Sequence, residues 1–227
     1  MNSGGATTGS ITKTLKAIIL TASVVIIGAG AVRAVEYGLD PTRGTDTVSF
    51  RSTAKLEFIE GQTNDIVGGF VYDPNDSQGK VSGVLRVDLR TLRTGIALRD
   101  EHMREKHLHT EDYPYAHFEL ISLGDMPEAL IADSAYESQA RGFFYIHGVK
   151  REITAQLKFS KEDHADGRSE SIRAVAEFAL TLDDFRIPRP KALFLKLAET
   201  IQVRTVFTAY ISQEPPLIVL PEWPELR

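Results

Sequence analysis

The segment LRDEHMREKHLHTEDYP, residues 98–114, carries side chains that could bind a metal ion or transfer protons. His102, His107 and His109 are three of the six histidines in the chain, and acidic residues lie between and around them. Zinc sites often pair histidines at i, i+4 on a helix or at i, i+2 on a strand. The five-residue step from His102 to His107 would scatter the histidines around a helix axis. Even with His117 nearby, this spacing favours a solvated polar connection, and we expect no metal site.

Motifs for enzyme catalysis are absent from the sequence. It contains no Gly-x-Ser-x-Gly elbow, no His-Glu-x-x-His pair and no glycine-rich phosphate loop. Asp183 and Asp184 are adjacent in the sequence, and the side chains of adjacent strand or turn residues usually point apart. The pair therefore favours a cap of the turn before Phe185 over acid–base catalysis by two carboxylates. His147, beside Gly148, is interpreted as a hydrogen-bonded structural histidine, and a role at the mouth of a site stays open. We therefore predict no catalytic residue and no cofactor.

The composition is that of an ordinary globular protein. The 227 residues are 42% hydrophobic and 25% charged, with a net charge of −5. An acidic balance argues against general nucleic-acid binding, so we expect no nucleic-acid partner. The chain has no cysteine, which excludes disulfides and thiol nucleophiles.

The first 34 residues have the layout of an export signal. Lys13 and Lys16 precede an apolar run over 17–32, and small residues of the A-x-A type follow. The run is shorter than the ~20 residues of a typical spanning helix. We predict a cleaved signal peptide over 1–34, or an uncleaved amino-terminal anchor helix, followed by a linker over 35–46. Either alternative exports the remainder to the periplasm or cell envelope.

Beyond residue 47 the dominant hydrophobic period is two. The segments SIRAVAEFALTL and TIQVRTVFTAYI place apolar side chains on one face and polar ones on the other. The alternation and the turn residues predict about eight strands, at 47–60, 64–73, 80–91, 115–122, 138–148, 151–159, 171–182 and 200–211. Eight long antiparallel strands with one apolar face close most simply into a barrel.

Two connections interrupt the strands. The segment GIALRDEHMREKHL predicts one or two short amphipathic helices that end before Tyr113 and Pro114. The second connection, over 185–199, contains an apolar cluster at 192–197 that could cover an opening or simply pack under the loop. Lysine and arginine in mid-strand on the polar face favour a soluble barrel over a membrane barrel. We assign 47–212 to the barrel domain and 213–227 to a proline-rich tail.

Four blocks in order carry a resemblance to a known family. The blocks, which fall in order within 47–211, are VSFRSTAKLEFIEGQTNDIVGGFVYDP, LRDEHMREKHLHTEDYPYAHFEL, GFFYIHGVKREITAQLKF and FALTLDDFRIPRPKALFLKLAETIQVRTVFTAY. The chain resembles the YceI-like family of lipocalin-like barrels. The resemblance implies binding of polyisoprenoids or other long amphiphiles in the bacterial periplasm. The segment REKHLHTED lacks the aromatic residues that the family usually has at this place. The resemblance therefore does not imply a contact between this segment and the ligand.

The candidate ligand-binding residues are apolar side chains in the inward strand register or, for Phe194, in the 192–197 cluster. They are Phe58, Phe70, Leu85, Phe118, Phe144, Ile146, Phe178, Leu180, Phe194 and Phe207. From the residues alone, a solidly packed interior is an equal alternative. The resemblance shifts the interpretation to a cavity.

The function we expect is binding, and carriage or sequestration, of a long-chain amphiphile of the isoprenoid or fatty-acyl type. Transient contact with a membrane surface and a homodimer remain open. Two other functions remain as alternatives. One is an enzyme acting on a lipid-like substrate with His147 or the 98–117 histidines, and the other is a filled-core stress or interaction domain.

Overall fold

The computed structural model describes residues 34–43, 46–53, 58–72, 81–127, 129–163, 170–189 and 198–211. All of them belong to one compact unit within 32–227. The predicted signal or anchor (except its last residue), the proline-rich tail and the 192–197 cluster with Phe194 lie outside the described residues.

Within the described ranges, ten antiparallel strand segments form one sheet. They are β1 Val35–Leu39, β2 Thr47–Thr53, β3 Phe58–Thr63, β4 Ile66–Tyr72, β5 Val81–Asp88, β6 Tyr115–Leu123, β7 Ala135–Ile146, β8 Val149–Asp163, β9 Glu170–Thr181 and β10 Thr200–Ile211.

The ten segments occupy eight positions around a closed barrel. One edge of β10 pairs with β9, and its other edge pairs with β2 near its start and with β1 near its end. β1 and β2 therefore share one position. β3 and β4, which pair with β2 and β1, share the next position. The remaining strands follow in sequence order from β5 to β9. The predicted all-β, eight-strand antiparallel barrel is confirmed.

Two boundaries from the sequence analysis were wrong. Residues 35–39, assigned to a linker, form β1 and close the barrel against β10. Residues 47–60, expected as one strand, contribute to two antiparallel segments, β2 and β3. β1 has five residues, so its alternation is too short to distinguish a strand from a loop.

The predicted helical connection forms one short helix. Helix α1 spans Ala97–His102 and continues into a π-helical turn over Met103–His107. We call residues 97–107 the helical cap. Short 3₁₀ turns lie at Pro41–Arg43, Leu89–Thr91 and Leu182–Phe185. No helix within the described ranges is long and apolar enough to cross a membrane.

The apolar face of the strands points into the barrel. Along β9, Ile172, Ala174 and Leu180 are buried, whereas Arg173 and Glu177 are exposed. Buried residues form one cluster near the helical cap, which includes Leu108, and another toward the opposite end, which includes Phe159 and Phe207. The two-residue alternation thus places the core inside the barrel, as the sequence predicts.

Candidate ligand-binding cavity

The barrel contains a cavity of about 720 Å³ next to the helical cap. Pockets that hold small-molecule ligands typically measure roughly 300–1,000 Å³, so this cavity is large enough for a substantial ligand. Its walls are mostly apolar side chains from the inward register of the strands. The predicted residues that line it are Leu85, Phe118, Phe144, Ile146, Phe178 and Leu180.

Aromatic contacts fix the shape of one wall. The ring of Phe144 meets the ring of Phe178 edge-on, with centroids 5.1 Å apart. It also meets Phe185 edge-on at 5.6 Å. Such edge-to-face pairs restrain ring rotation and add to the stability of the wall.

The helical cap and the residues on either side of it supply both apolar and polar atoms to the cavity. Ile96, Leu98, Met103 and Leu108 line it alongside Arg99, His102, Lys106 and His107. The Nδ1 atom of His107 donates a hydrogen bond to the carbonyl oxygen of Pro188 at 2.7 Å. Burial lowers the pKa of His107, with a smaller opposing contribution from this hydrogen bond. The histidine-rich segment is therefore a polar covering of an apolar cavity.

Asp100 anchors the helical cap to the preceding loop. Asp100 is 7% exposed, and its carboxylate accepts hydrogen bonds from the backbone N–H of Thr94 at 2.7 Å and from the Thr94 hydroxyl at 2.5 Å. Burial alone would raise the pKa of Asp100, but the Thr94 hydrogen bonds together with Arg104 and Arg99 lower it. The side chain is therefore ionised at neutral pH and restrains the start of α1.

His109 and His147 connect the segment after the helical cap to the β7–β8 turn. Nδ1 of His147 lies 3.2 Å from the carbonyl oxygen of Phe185. A carbonyl only accepts, so this nitrogen carries a proton, and in a neutral ring Nε2 is then an acceptor. Nε2 lies 2.7 Å from Nδ1 of His109, which donates to it. The predicted hydrogen bonding of His147 is confirmed.

His117 is a buried polar side chain in β6. It is 4% exposed, and Tyr115 packs edge-on against its ring at 6.1 Å. Burial, and to a smaller extent the positive charge of Arg86, lowers the pKa of His117 to about 4. The imidazole is therefore neutral at physiological pH.

A second, smaller apolar cavity of about 100 Å³ lies toward the opposite end of the barrel. Phe70 and Phe207 from the predicted set line it, and Leu85 and Phe118 line both cavities. Tyr37 also lines it and is 3% exposed.

A polar network accompanies the small cavity. The Tyr37 hydroxyl donates to Oε1 of Glu170 at 2.5 Å, and Nζ of Lys161 lies 2.7 Å from Oε2. Burial and the Glu170 carboxylate raise the pKa of Tyr37. The phenol therefore remains protonated and ties β1 to β9.

Phe58 is the one described candidate whose inward placement was wrong. Its side chain is 53% exposed, and the Arg51 guanidinium lies 4.8 Å from its ring centroid. The next residue, Ile59, is buried and lines the large cavity. Because alternate residues of a strand face opposite sides, a one-residue difference in register moves the aromatic ring outside.

Several lining residues were missed by the sequence analysis. Tyr37 lies in the segment assigned to a linker, and Ile96, Leu98 and Met103 lie in or beside the segment interpreted as a polar connection because of its many charged residues. The apolar residues spaced irregularly along that segment were the only sequence feature that could have indicated a contribution to the cavity. Among the described residues, no group of three or more histidine, cysteine or acidic side chains is placed to hold a metal ion.

The class of protein that the fold and the site define is a closed, eight-strand antiparallel β-barrel with an internal apolar cavity and a polar cap. The YceI-like domain model matches residues 37–209, and the chain belongs to the YceI-like family. It is 27% identical over 202 residues to a UPF0312 protein of Pseudomonas putida strain W619, covering 86% of this chain and 97% of the relative.

Two solved structures share the fold. A polyisoprenoid binding domain from Saccharophagus degradans has a TM-score of 0.59 and 18% identity, covering 78% of this chain and 99% of that domain. Burkholderia cenocepacia BcnA has a TM-score of 0.57 and 15% identity, covering 77% and 99%.

Proposed function

We propose that this protein binds a long-chain amphiphile, of the polyisoprenoid or fatty-acyl type, inside its barrel. The observation that carries the proposal is the 720 Å³ cavity, whose walls are apolar and whose charged lining residues come from the helical cap and its neighbourhood. An apolar chain would occupy the interior, and its polar end would lie near Arg99, His102 and Lys106. The fold shared with a polyisoprenoid binding domain supports the same ligand class.

The free energy of transferring a lipid chain is consistent with reversible exchange of the lipid between a membrane and the barrel. Burial of each CH₂ group from water contributes about 0.8 kcal/mol, so a prenyl chain is strongly driven out of water. A bilayer offers the chain a similarly apolar environment, and transfer between membrane and barrel is then close to neutral. Such a protein carries or sequesters a lipid without a chemical step.

The two alternatives have less support. A filled-core domain does not match an interior cavity of this volume. For an enzyme, the relevant histidine would have to reach the ligand. Among the described residues, His109 and His147 lie outside the lining of both cavities, whereas His102, His107 and His117 line the large one. The Nδ1 atom of His107 is held by the Pro188 carbonyl, and His117 is buried and neutral, so an enzyme would depend chiefly on His102.

We also propose that the protein works in the periplasm or elsewhere in the cell envelope. The basic residues Lys13 and Lys16 and the apolar run after them support export. Transient contact with a membrane surface would give the barrel access to its ligand. Cell fractionation with amino-terminal sequencing tests this part, and recovery of the protein in the cytoplasm alone would contradict it.

Native mass spectrometry of gently purified protein tests the binding proposal. We expect one lipid molecule per barrel, which organic extraction releases for identification by mass. A preparation that carries no lipid and takes up none from added vesicles would contradict lipid binding. A stoichiometric metal ion without lipid would favour the enzyme alternative.

A further inference from the structure

The two cavities of the barrel share a wall made of three side chains. Leu85 on β5, Phe118 on β6 and Ala176 on β9 line both cavities. Leu85 and Phe118 are directly paired across β5 and β6. β5 and β9 stand four positions apart around the eight-strand ring, so they form opposite walls. The shared residues therefore mark a constriction across the barrel.

The constriction depends mainly on the two larger side chains. Ala176 contributes only a methyl group, so Leu85 and Phe118 close the gap from the other side. Gly142 on the neighbouring strand β7 makes room for the Phe118 ring, because a Cβ atom there would lie 2.7 Å from its Cζ atom. The ring therefore packs over bare backbone, which restrains its position.

The small cavity beyond the constriction has a volume of about 100 Å³. An apolar cavity of ~150 Å³ accommodates a benzene molecule, so the small cavity has room for a few carbon atoms at most. That is close to one five-carbon isoprene unit. Its lining is apolar, with Phe70, Leu157 and Phe207 among the wall residues. The end of a hydrocarbon chain could therefore enter without displacing water from polar groups.

We propose that Leu85 and Phe118 form a length stop that sets the longest chain the large cavity accepts. This inference rests on the proposed lipid-binding function. The end of an apolar chain that fills the large cavity meets the Phe118 ring and the Leu85 side chain. Removal of either side chain joins the two cavities and extends the accessible length by about one isoprene unit.

The test is a binding series on the delipidated full-length protein. The probes are linear prenyl alcohols that differ by one isoprene unit, and binding is measured by native mass spectrometry with pairwise competition. We expect wild-type affinity to rise with length and then to fall. Phe118→Ala should move the optimum to the next longer alcohol and bind that alcohol at least about tenfold more tightly than wild type, a difference that competition resolves.

Two further variants control for cavity volume. Phe178→Ala removes the same atoms from a wall of the large cavity alone, and its length optimum should not move. Phe118→Ala combined with Ala174→Leu refills the small cavity, which Ala174 lines, and should restore the wild-type optimum. Circular dichroism checks folding, and Leu85→Ala repeats the test if Phe118→Ala does not fold.

The outcomes separate the length stop from the function on which it rests. If the wild-type protein binds none of the alcohols or the fatty alcohols used as a second series, the lipid-binding proposal fails. If wild type binds and folded Phe118→Ala, or folded Leu85→Ala in its place, keeps the wild-type optimum, the length stop is overturned while lipid binding stands.

Discussion

The Nδ1 atom of His109 lies 2.7 Å from the Nε2 atom of His147, and the two rings stack with centroids 5.0 Å apart. Both residues have positive φ angles, 45° for His109 and 53° for His147, which non-glycine residues adopt rarely. The contact joins the segment that follows the helical cap to the β7–β8 turn and, through the Phe185 carbonyl, to the turn after β9.

We expect this histidine pair to contribute about 0.5–1.5 kcal/mol of coupling free energy, the usual net value of a hydrogen bond. A double-mutant cycle with His109→Asn and His147→Asn measures it by urea unfolding. Asparagine tolerates positive φ, so backbone strain is not a confounding change. Additive effects of the two substitutions would show that the contact contributes nothing.

Phe178→Asp should reduce bound lipid by at least about tenfold, because a carboxylate in an apolar cavity is costly to desolvate. Phe58→Asp is the matched control, since the same substitution then falls on a 53% exposed side chain outside both cavities. Extraction and mass analysis of the purified variants quantify bound lipid. Equal loss in both variants, or retention by folded Phe178→Asp, would contradict the assignment of the cavity.

His117 should make the protein less stable as the pH falls. Its pKa is about 4 in the folded protein and about 6.5 when unfolded, so between these values the unfolded chain binds more protons. Stability is therefore lost as the pH falls through this window. From pH 7.5 to pH 5.5 we expect a loss of about 1 kcal/mol from this residue.

Urea unfolding of wild type and His117→Phe at these two pH values isolates the contribution of His117. His107 and His147 also have lowered pKa values, chiefly from burial, and both act in the same direction in the two proteins. The free energy of unfolding of His117→Phe should therefore still fall between pH 7.5 and pH 5.5, but by less than that of wild type. Identical slopes for wild type and variant would show that His117 does not titrate as proposed.

Asp100→Ala should loosen the helical cap and speed lipid exchange. The substitution leaves the Thr94 N–H and hydroxyl without their shared acceptor, which costs roughly 1–3 kcal/mol for buried groups. Hydrogen exchange of the cap amides should accelerate, and lipid transfer to acceptor vesicles should become faster. Glu101→Ala, an exposed change on the same helix, serves as the control. Unchanged exchange in Asp100→Ala would indicate that other contacts hold the cap.

The long strands were predictable because their alternation is sustained over many residues. Ile172, Ala174 and Leu180 fall on the inward face in both the sequence pattern and the structure. β1 has only five residues, so its hydrophobic alternation is too short to predict a strand. It closes the barrel because it pairs with β10 and β4. Its pairing partners are distant in sequence, so local propensity could not identify it.

The candidate site was predictable in part for the same reason. The inward register placed Phe118, Phe144 and Phe178 in the cavity lining. Phe58 was misplaced because it begins a six-residue strand, β3, whose register the local sequence pattern does not determine. Ile96 and Leu98 lie in a segment whose pattern is dominated by charged residues, and they line the cavity because the fold places the helical cap next to it.

The amino-acid sequence by itself determined the all-β class, the inward face of the long strands and the resemblance to the YceI-like family, because these depend on local period and on ordered motifs. Only the tertiary structure decided that the interior holds two cavities, that Phe118 and Leu85 stand between them and that His109 meets His147. Those features depend on which side chains face one another across a closed barrel, and contacts between residues distant in the chain leave no local pattern.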